Sequence, residues 1–366
     1  MTKRALLALC ALGAVAAGEP PARMNDIQVV GSHNSFKRRI PAAVMAELRR
    51  REPKLADGLD YDHLSITEQL DRGVRQLELD IFADPDGGRY ADPRGEVLAK
   101  AAGEETGFDR AAMLQPGFKV FHIPDIDYLS GCVTFRRCLA EIDAWSRAHP
   151  DHLPIMVTIN AADQPSGRPG ITDPLPLTAP LLDALDRELL AVLPRDRLIT
   201  PDTIRVHAPS LRHAIRTRGW PTLSAARGRL FFLLDVRPAV GELYRAGRPS
   251  LAGRPIFGWY DVGDPDAAVA IVQDPLVDGA LIRRLVKDGM IVRTRTDANT
   301  LEARAGDYRK ARAAIASGAQ AVSTDYYPGA PTRIGRNFTV MLPGGVMERC
   351  NALLLPGHRD VGKDCR

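Results

Sequence analysis

The residues of this chain best suited to chemistry include two histidines that follow short apolar runs. His33 comes soon after Gly31, which interrupts the chain after the apolar run 27–30, and His122 lies near the end of the run 119–123. Titratable side chains at strand ends are where α/β enzymes place catalytic groups. An acid and a base facing one site are what cleavage of a phosphodiester by an internal hydroxyl requires. The alternative for His33 alone is a polar turn after an edge strand.

Glu78 and Asp80 form a second candidate group, on a predicted strand at 75–82. Side chains alternate across a strand, so the two carboxylates share one face and the apolar residues between them share the other. In a barrel the outer face lies under helices, which directs these carboxylates inward. Two inward carboxylates repel each other unless a cation or a proton lies between them, and hard oxygen ligands favour Ca²⁺ or Mg²⁺ over zinc. The alternative is a pair of salt bridges with buried arginines.

A third group lies at the ends of the last two predicted strands. Alternate residues of one strand share a face, and an inward face would bring guanidinium groups to the mouth of the barrel, where they can meet an anionic group. A tyrosine there could stack on a ring of a ligand. The alternative is a structural network of ion pairs. The members of this group are Arg293, Arg295, Asp297, Asp325 and Tyr326.

The elements that must position these residues alternate along the chain. Eight short apolar runs predict strands, and most of them are followed by a segment with helical periodicity. This order predicts a parallel sheet closed as an α/β barrel. The alternative is an open doubly wound sheet, but no Gly-rich phosphate turn follows the first strand. The predicted strands are 27–30, 75–82, 119–123, 154–159, 230–234, 256–259, 290–294 and 321–324, and the main predicted helices are 41–50, 67–72, 134–149, 180–192, 280–287 and 304–317.

Composition and the first residues indicate an exported protein. The chain has 366 residues with a formal charge of +4 and no basic block of the kind that binds nucleic acid. Lys3 and Arg4 precede an apolar segment, 5–17, that is too short to span a bilayer and ends in small residues. We therefore predict a signal peptide at 1–17, a secreted or periplasmic location, a barrel domain at 18–327 and an irregular tail at 328–366. No later segment predicts a transmembrane helix.

Four cysteines remain after the predicted cleavage. An even number in an exported chain favours disulfides, and the cysteines fall into two pairs that are close in sequence. We predict the bonds Cys132–Cys138 and Cys350–Cys365, with free or differently paired thiols as the alternative. A zinc site is disfavoured because no Cys-x-x-Cys spacing occurs.

Taken together, these motifs resemble the phosphatidylinositol-specific phospholipase C superfamily. The resemblance rests on Gly-Ser-His-Asn-Ser-Phe at 31–36, Leu-Glu-Leu-Asp at 77–80 and His122. The later stretches 291–300, 317–320 and 323–326 are similar to its bacterial, secreted, calcium-dependent branch. The resemblance covers residues 25 to 327, and it is the order and spacing of the motifs that make it specific.

The resemblance implies a distorted TIM barrel and Ca²⁺-dependent cleavage of a phosphodiester. In such enzymes the first histidine, here His33, acts as general base on the inositol 2-hydroxyl. The second, here His122, protonates the diacylglycerol oxygen or stabilises the pentavalent state. The implied calcium ligands are Asn34, Glu78 and Asp80.

One position departs from this pattern. The fourth strand of the family usually ends with a glutamate that completes the calcium shell, and here the corresponding residue is Asn160. Its amide oxygen carries no charge, which predicts weaker binding of Ca²⁺. Asp163 is a candidate to reach in instead.

The leading hypothesis is an exported phosphoric diester hydrolase of phospholipase C type. It would cleave phosphatidylinositol or a related phosphodiester at a membrane surface, as a monomer, with Ca²⁺ preferred to Mg²⁺ as cofactor. One alternative is a glycerophosphodiester phosphodiesterase-like enzyme, which would share the barrel, the histidines and acidic metal ligands. Another is a catalytically weak barrel that binds a lipid or a sugar phosphate.

Overall fold

The structure is a computed structural model that describes residues 20–331, 334, 338–357, 361 and 365. The predicted signal peptide lies outside these residues. Among them, no helix combines the length and the apolar character needed to cross a bilayer.

Eight parallel strands with surrounding helices form a distorted, nearly closed TIM barrel, as predicted. Their order is β6-β5-β4-β2-β1-β9-β8-β7, and β3 and β10 pair antiparallel with β2 and β1. No backbone pairing joins β6 to β7 in the described part of the chain, so the barrel has an open seam there. The strands are β1 Ile27–Ser32, β2 Gln76–Phe82, β3 Lys119–Val120, β4 Ile155–Ala162, β5 Leu230–Asp235, β6 Phe257–Gly258, β7 Val269–Ile271, β8 Ile291–Arg295, β9 Ala321–Thr324 and β10 Glu348–Cys350.

Helices cover the outside of the barrel, and the amphipathic α6 is the clearest example. Its residues Phe135, Leu139 and Ile142 are fully buried, while Arg136 and Arg137 on its other side are exposed. The α-helices are α1 Ala42–Arg51, α2 Pro53–Leu59, α3 Ile66–Asp71, α4 Arg94–Ala101, α5 Arg110–Met113, α6 Phe135–Ala148, α7 Ala179–Val192, α8 Pro201–Arg205, α9 Leu211–Thr217, α10 Leu223–Ala226, α11 Pro238–Arg245, α12 Pro275–Lys287, α13 Leu301–Ala305 and α14 Arg309–Ala316.

The identity of one barrel strand differs from the prediction. The apolar run 119–123 was expected to be a parallel strand, but only Lys119–Val120 is strand, and it runs antiparallel to β2. His122 lies in the turn that follows, where the backbone N–H groups of His122 and Ile123 both donate to Asp127 O. The remaining barrel strand is β7, whose three residues are too short a run to stand out in the sequence.

Two smaller differences have local causes. Gly31 does not end the first strand but lies inside it. A larger residue would not fit at this position, because a Cβ there would come within 2.0 Å of the side-chain oxygen of Gln76. The glycine therefore makes room inside the barrel rather than breaking a strand. The helix predicted at 304–317 is interrupted at Gly306, whose φ of +63° ends α13 before α14 begins.

Both predicted disulfides are present. Cys132 bonds to Cys138 and Cys350 bonds to Cys365, across sequence separations of 6 and 15 residues. The segment predicted as a tail includes β10, which pairs with β1 and so attaches this part of the chain to the barrel.

Candidate active site

The acidic residues of the predicted site lie at the carboxyl ends of adjacent barrel strands. Asp80 on β2 is in register with Asn160 on β4, and Asn160 is in register with Asp235 on β5. Paired residues of parallel strands point to the same face of the sheet, so these three side chains lie together inside the barrel mouth. Glu78 lies two residues earlier on the same face as Asp80, deeper in the barrel.

His33 is held by an aspartate from the last barrel strand. Its Nδ1 lies 3.0 Å from Asp325 Oδ1, and 16% of its side chain is exposed. A carboxylate accepts, so the proton is on Nδ1 and the lone pair of Nε2 is left for a substrate. Burial, followed by the charge of Arg295, lowers the pKa of His33 to about 4. The ring is therefore neutral at neutral pH, as a general base must be.

His122 has the same arrangement with a different acid. Its Nδ1 lies 2.8 Å from Asp127 Oδ2, and 22% of the side chain is exposed. The ammonium of Lys37, which is fully buried, lies 3.3 Å from the same oxygen. Asp127 thus orients the ring of His122 and places a carboxylate against it.

A short chain of contacts joins the two histidines. Lys37 donates to the backbone oxygen of Tyr61 at 2.7 Å, and the Tyr61 hydroxyl lies 3.4 Å from His33 Nδ1. The same hydroxyl accepts from Asn34 Nδ2 at 2.8 Å. Because Lys37 also contacts Asp127, the partner of His122, the two histidine–aspartate pairs belong to one buried network.

The acidic pair on β2 is not symmetric. Arg293 crosses the barrel from β8 and donates to Glu78 Oε2. Burial alone would raise the pKa of Glu78, but the positive charge of Arg293 holds it below the usual range. Asp80 has no cation beside it, and burial together with the charge of Glu78 raises its pKa well above the usual range. The predicted alternative of a salt bridge therefore describes Glu78 but not Asp80.

Two buried oxygen atoms at the barrel mouth have no hydrogen-bond partner. They are Asn34 Oδ1 and Asp80 Oδ1, on residues that are 1% and 4% exposed. Burying such atoms without a partner is costly, and both are hard oxygen donors of the kind Ca²⁺ takes. No cluster of three or more His, Cys, Asp or Glu side chains suited to a metal ion occurs among the described residues, so a cation there would also need amide oxygens. The residues present fit a calcium ion on these terms.

The third predicted group divides between the site and the core. Arg295 Nη2 donates to Asp325 Oδ2 at 3.2 Å, which places this arginine beside the His33 pair. Although burial opposes it, the contact with His33, the ring of His63 at 3.6 Å and the charge of Arg295 hold the pKa of Asp325 well below its usual range.

Asp297 and Tyr326 are more enclosed. Asp297 accepts hydrogen bonds from the hydroxyls of Thr296 and Thr324, and burial raises its pKa to about 6. Tyr326 is 1% exposed and packs edge-to-face on Phe338. Neither side chain is open to a ligand in this conformation, so their proposed role in substrate binding stays a prediction.

Sequence reasoning missed four residues of this arrangement. Asp127 and Lys37 orient His122, Tyr61 contacts both His33 and Asn34, and Asp235 extends the row of polar strand ends. Asp235 could have been found from the sequence, because it directly follows the apolar run 230–234, just as Asp80 lies close to the end of β2. The other three lie in loops without a local pattern.

Comparison with known proteins identifies a matching family. The family model for Ca²⁺-dependent phosphoinositide phospholipase C matches residues 22–352. No curated protein sequence matches the chain significantly.

Solved structures share the fold at low sequence identity. A calcium-dependent phosphoinositol-specific phospholipase C from a Gram-negative Pseudomonas species is 16% identical, with a TM-score of 0.55, over 90% of this chain and 95% of that one. The structure described as its myo-inositol complex also aligns at 16% identity with a TM-score of 0.55, over 90% of this chain and 96% of that one. A Ca²⁺-dependent phosphatidylinositol-specific phospholipase C from Streptomyces antibioticus is 18% identical, with a TM-score of 0.52, over 84% and 96%.

Proposed function

The chain belongs to the family of Ca²⁺-dependent phosphoinositide phospholipases C, which are phosphoric diester hydrolases, and from that premise we propose how its own residues act. The substrate is phosphatidylinositol or a related phosphodiester presented at a membrane surface. The observation that supports this most directly is the pair of histidine–aspartate contacts, His33–Asp325 and His122–Asp127, joined by one buried network beside Glu78.

His33 begins the reaction and His122 completes it. Nε2 of His33 takes the proton of the inositol 2-hydroxyl, and the hydroxyl oxygen forms a bond to phosphorus. The bond from phosphorus to the diacylglycerol oxygen breaks, and His122 donates the proton that this oxygen requires. The products are a cyclic inositol phosphate and diacylglycerol. Each aspartate keeps its histidine in the tautomer and orientation that this transfer needs.

Asn34, Glu78 and Asp80, with Asn160 at the end of β4, are the residues that would hold the calcium ion. When bound, the ion supplies positive charge that offsets the negative charge building on phosphate oxygens. Arg295 points from β8 to the same end of the barrel and contributes fixed positive charge beside His33. Proton transfer itself is assigned to the histidines alone.

The test is phosphodiester release from phosphatidylinositol vesicles with and without a calcium chelator. We expect activity that the chelator abolishes, and we expect His33→Ala to lower kcat by about 10²–10⁴-fold, the usual contribution of a general base. A matched control is His207→Ala, because His207 is an exposed histidine in a different part of the fold. Full activity of the His33→Ala protein would reject the mechanism.

The same assay separates the proposal from its main rival. Water-soluble glycerophosphodiesters are offered in parallel with intact lipid. Faster cleavage of the soluble compounds would favour a glycerophosphodiester phosphodiesterase.

We also propose that the protein is exported. Lys3, Arg4 and the apolar segment 5–17 support this, as do the two disulfides, which persist in oxidising compartments. The mature protein recovered from the periplasm or the medium is expected to begin shortly after Ala17, as N-terminal sequencing would reveal. Recovery of the intact chain in the cytoplasm alone would contradict export.

A further inference from the structure

The end of β4 is the weak point of the proposed cation site, because Asn160 offers a neutral oxygen there. Ca²⁺ affinity depends on the number of charged ligands, so a site with one carboxylate fewer binds more weakly. Asp163, the nearest acid in sequence, does not fill this gap. Arg237 donates to both oxygens of Asp163, from Nε at 3.0 Å and from Nη2. A carboxylate held bidentately by a guanidinium is already neutralised.

Asp235 is placed to do what Asp163 does not. It is the last residue of β5 and is in register with Asn160 on β4. Asp80 on β2 is in register with Asn160 from the other side, so the three residues form a row across adjacent strands. Side chains in such a row point to the same face. The side chain of Asp235 makes no hydrogen bond or ion pair with any of the described residues, and the charge of Arg293 acts on it only from a distance. Its carboxylate is therefore unused in the protein itself.

The row of strand ends carries two carboxylates that no cationic side chain of the described residues neutralises directly. Glu78 is compensated by Arg293, which donates to it directly. Asp80 and Asp235 have no direct ion pair among the described residues, and their charges act on each other. Two carboxylates that repel each other at a barrel mouth match the charge of one divalent cation.

Independent evidence for a ligand comes from the unpartnered oxygens beside the row. Asn34 Oδ1 and Asp80 Oδ1 are both buried and neither accepts a hydrogen bond. Asn160 and Asp235 also line a cavity of about 470 Å³ at the ends of β4 and β5, which leaves space on their side of the row.

We propose that Asp235 supplies the carboxylate that Asn160 lacks, so that it joins Asn34, Glu78, Asp80 and Asn160, the residues proposed above, in holding the Ca²⁺ ion. The inference rests on the proposed function, because it concerns the cation of that site. It assigns the missing charge to the next strand of the barrel rather than to the next acid along the chain.

The test measures Ca²⁺ binding directly, by isothermal titration calorimetry of the full mature chain without substrate. We expect Asp235→Asn to lower Ca²⁺ affinity by about tenfold or more, because it removes a charged ligand but keeps the shape of the side chain. The matched control is Asp163→Asn, which removes a neighbouring acid that is paired with Arg237, and we expect its affinity to be unchanged. The double variant Asn160→Glu, Asp235→Asn returns a carboxylate to the row, and we expect it to recover affinity.

Recovery in the double variant also shows that Asp235→Asn has not merely damaged folding. If Asp235→Asn binds Ca²⁺ like the wild type while Asp80→Asn has lost binding, the assignment of Asp235 is wrong and the proposed function stands. If the wild type binds no Ca²⁺, the cation site of the proposed function and this inference both fail. A stronger loss in Asp163→Asn than in Asp235→Asn would also overturn the inference.

Discussion

Each of the two proposed catalytic histidines has Nδ1 in contact with an aspartate, which leaves its Nε2 without a partner among these contacts. The two partners differ in their surroundings: Asp325 also binds Arg295, whereas Asp127 lies against the buried Lys37. In the proposed mechanism, similar contacts at the two rings serve opposite proton transfers. The difference between base and acid is best tested through the leaving group, because only an acid is needed to protonate it.

We expect the loss of activity in His122→Ala to depend strongly on the leaving group of the substrate. With phosphatidylinositol, whose alkoxide leaving group needs a proton, kcat should fall by about 10²–10⁴-fold. With an inositol phosphate ester of nitrophenol, a leaving group that needs no proton, most of that loss should disappear. Single-turnover assays on both substrates measure this difference.

His33→Ala is the matched control for that measurement. Loss of a base affects both substrates, so this variant should be slow with each of them. An equal loss for both substrates in His122→Ala would contradict the role of His122 as an acid.

At the scale of elements, the junction between α6 and β4 contains a buried histidine outside the site. His152 is 6% exposed, its Nδ1 lies 2.6 Å from Leu153 O, and its Nε2 lies 2.6 Å from Ser146 Oγ. Ser146 Oγ also accepts from Arg197 at 2.7 Å, so it donates its own proton to His152. A neutral ring can donate from Nδ1 to Leu153 O and accept at Nε2 from Ser146. A protonated ring would carry a second N–H at Nε2, which would face the hydroxyl hydrogen of Ser146.

This junction predicts a pH dependence of stability. Burial lowers the pKa of His152 to about 4 from its ordinary 6.5, so the unfolded chain binds more protons between these values. The contribution of neutral His152 to the free energy of unfolding is therefore complete above pH 6.5 and is lost as the pH falls towards 4. From pH 7.5 to pH 5 it should decrease by about 2 kcal/mol.

Urea unfolding of the wild type and His152→Gln at the two pH values measures this change. The stability advantage of the wild type over the variant should shrink by that amount at the lower pH, and His213→Gln, an exposed histidine, serves as control. An advantage that is the same at both values would contradict the prediction.

At the scale of the whole molecule, the barrel is uneven. β2 and β4 share seven registered residue pairs, whereas β5 and β6 share two, and the open seam lies between β6 and β7. The proposed catalytic and calcium-binding residues lie on or just after β1, β2, β4, β5 and β9 and in the turn after β3, and none of them lies on β6 or β7 beside the open seam. Chemistry that depends on sub-ångström positioning benefits from such placement.

This asymmetry predicts a gradient of local stability. Amide hydrogens of β2 and β4 should exchange most slowly, and those of β6 and β7 should exchange faster, because strands at an edge open with less of the barrel. Hydrogen exchange followed by mass spectrometry resolves peptides from each strand. Equal protection of β4 and β6 would show that the seam is no weaker than the rest.

Much of this protein follows from local sequence. The alternation of apolar runs and helical segments predicted the barrel, because the period of side chains is set by the backbone and does not depend on distant partners. The pairing of cysteines was predictable because they are close along the chain. His33 and Glu78 were recognisable because each lies on or near a strand that is plain in the sequence.

What only the tertiary structure decided are the partners of those residues. Asp127 contacts His122 through an irregular turn, Arg293 reaches Glu78 across the barrel, and Asp235 lies in the same strand-end row as Asp80, two strands away. Such contacts depend on strand order and register, which a single sequence does not encode as a local pattern. For the same reason β7 was missed, since a three-residue strand is recognised only by the neighbour with which it pairs.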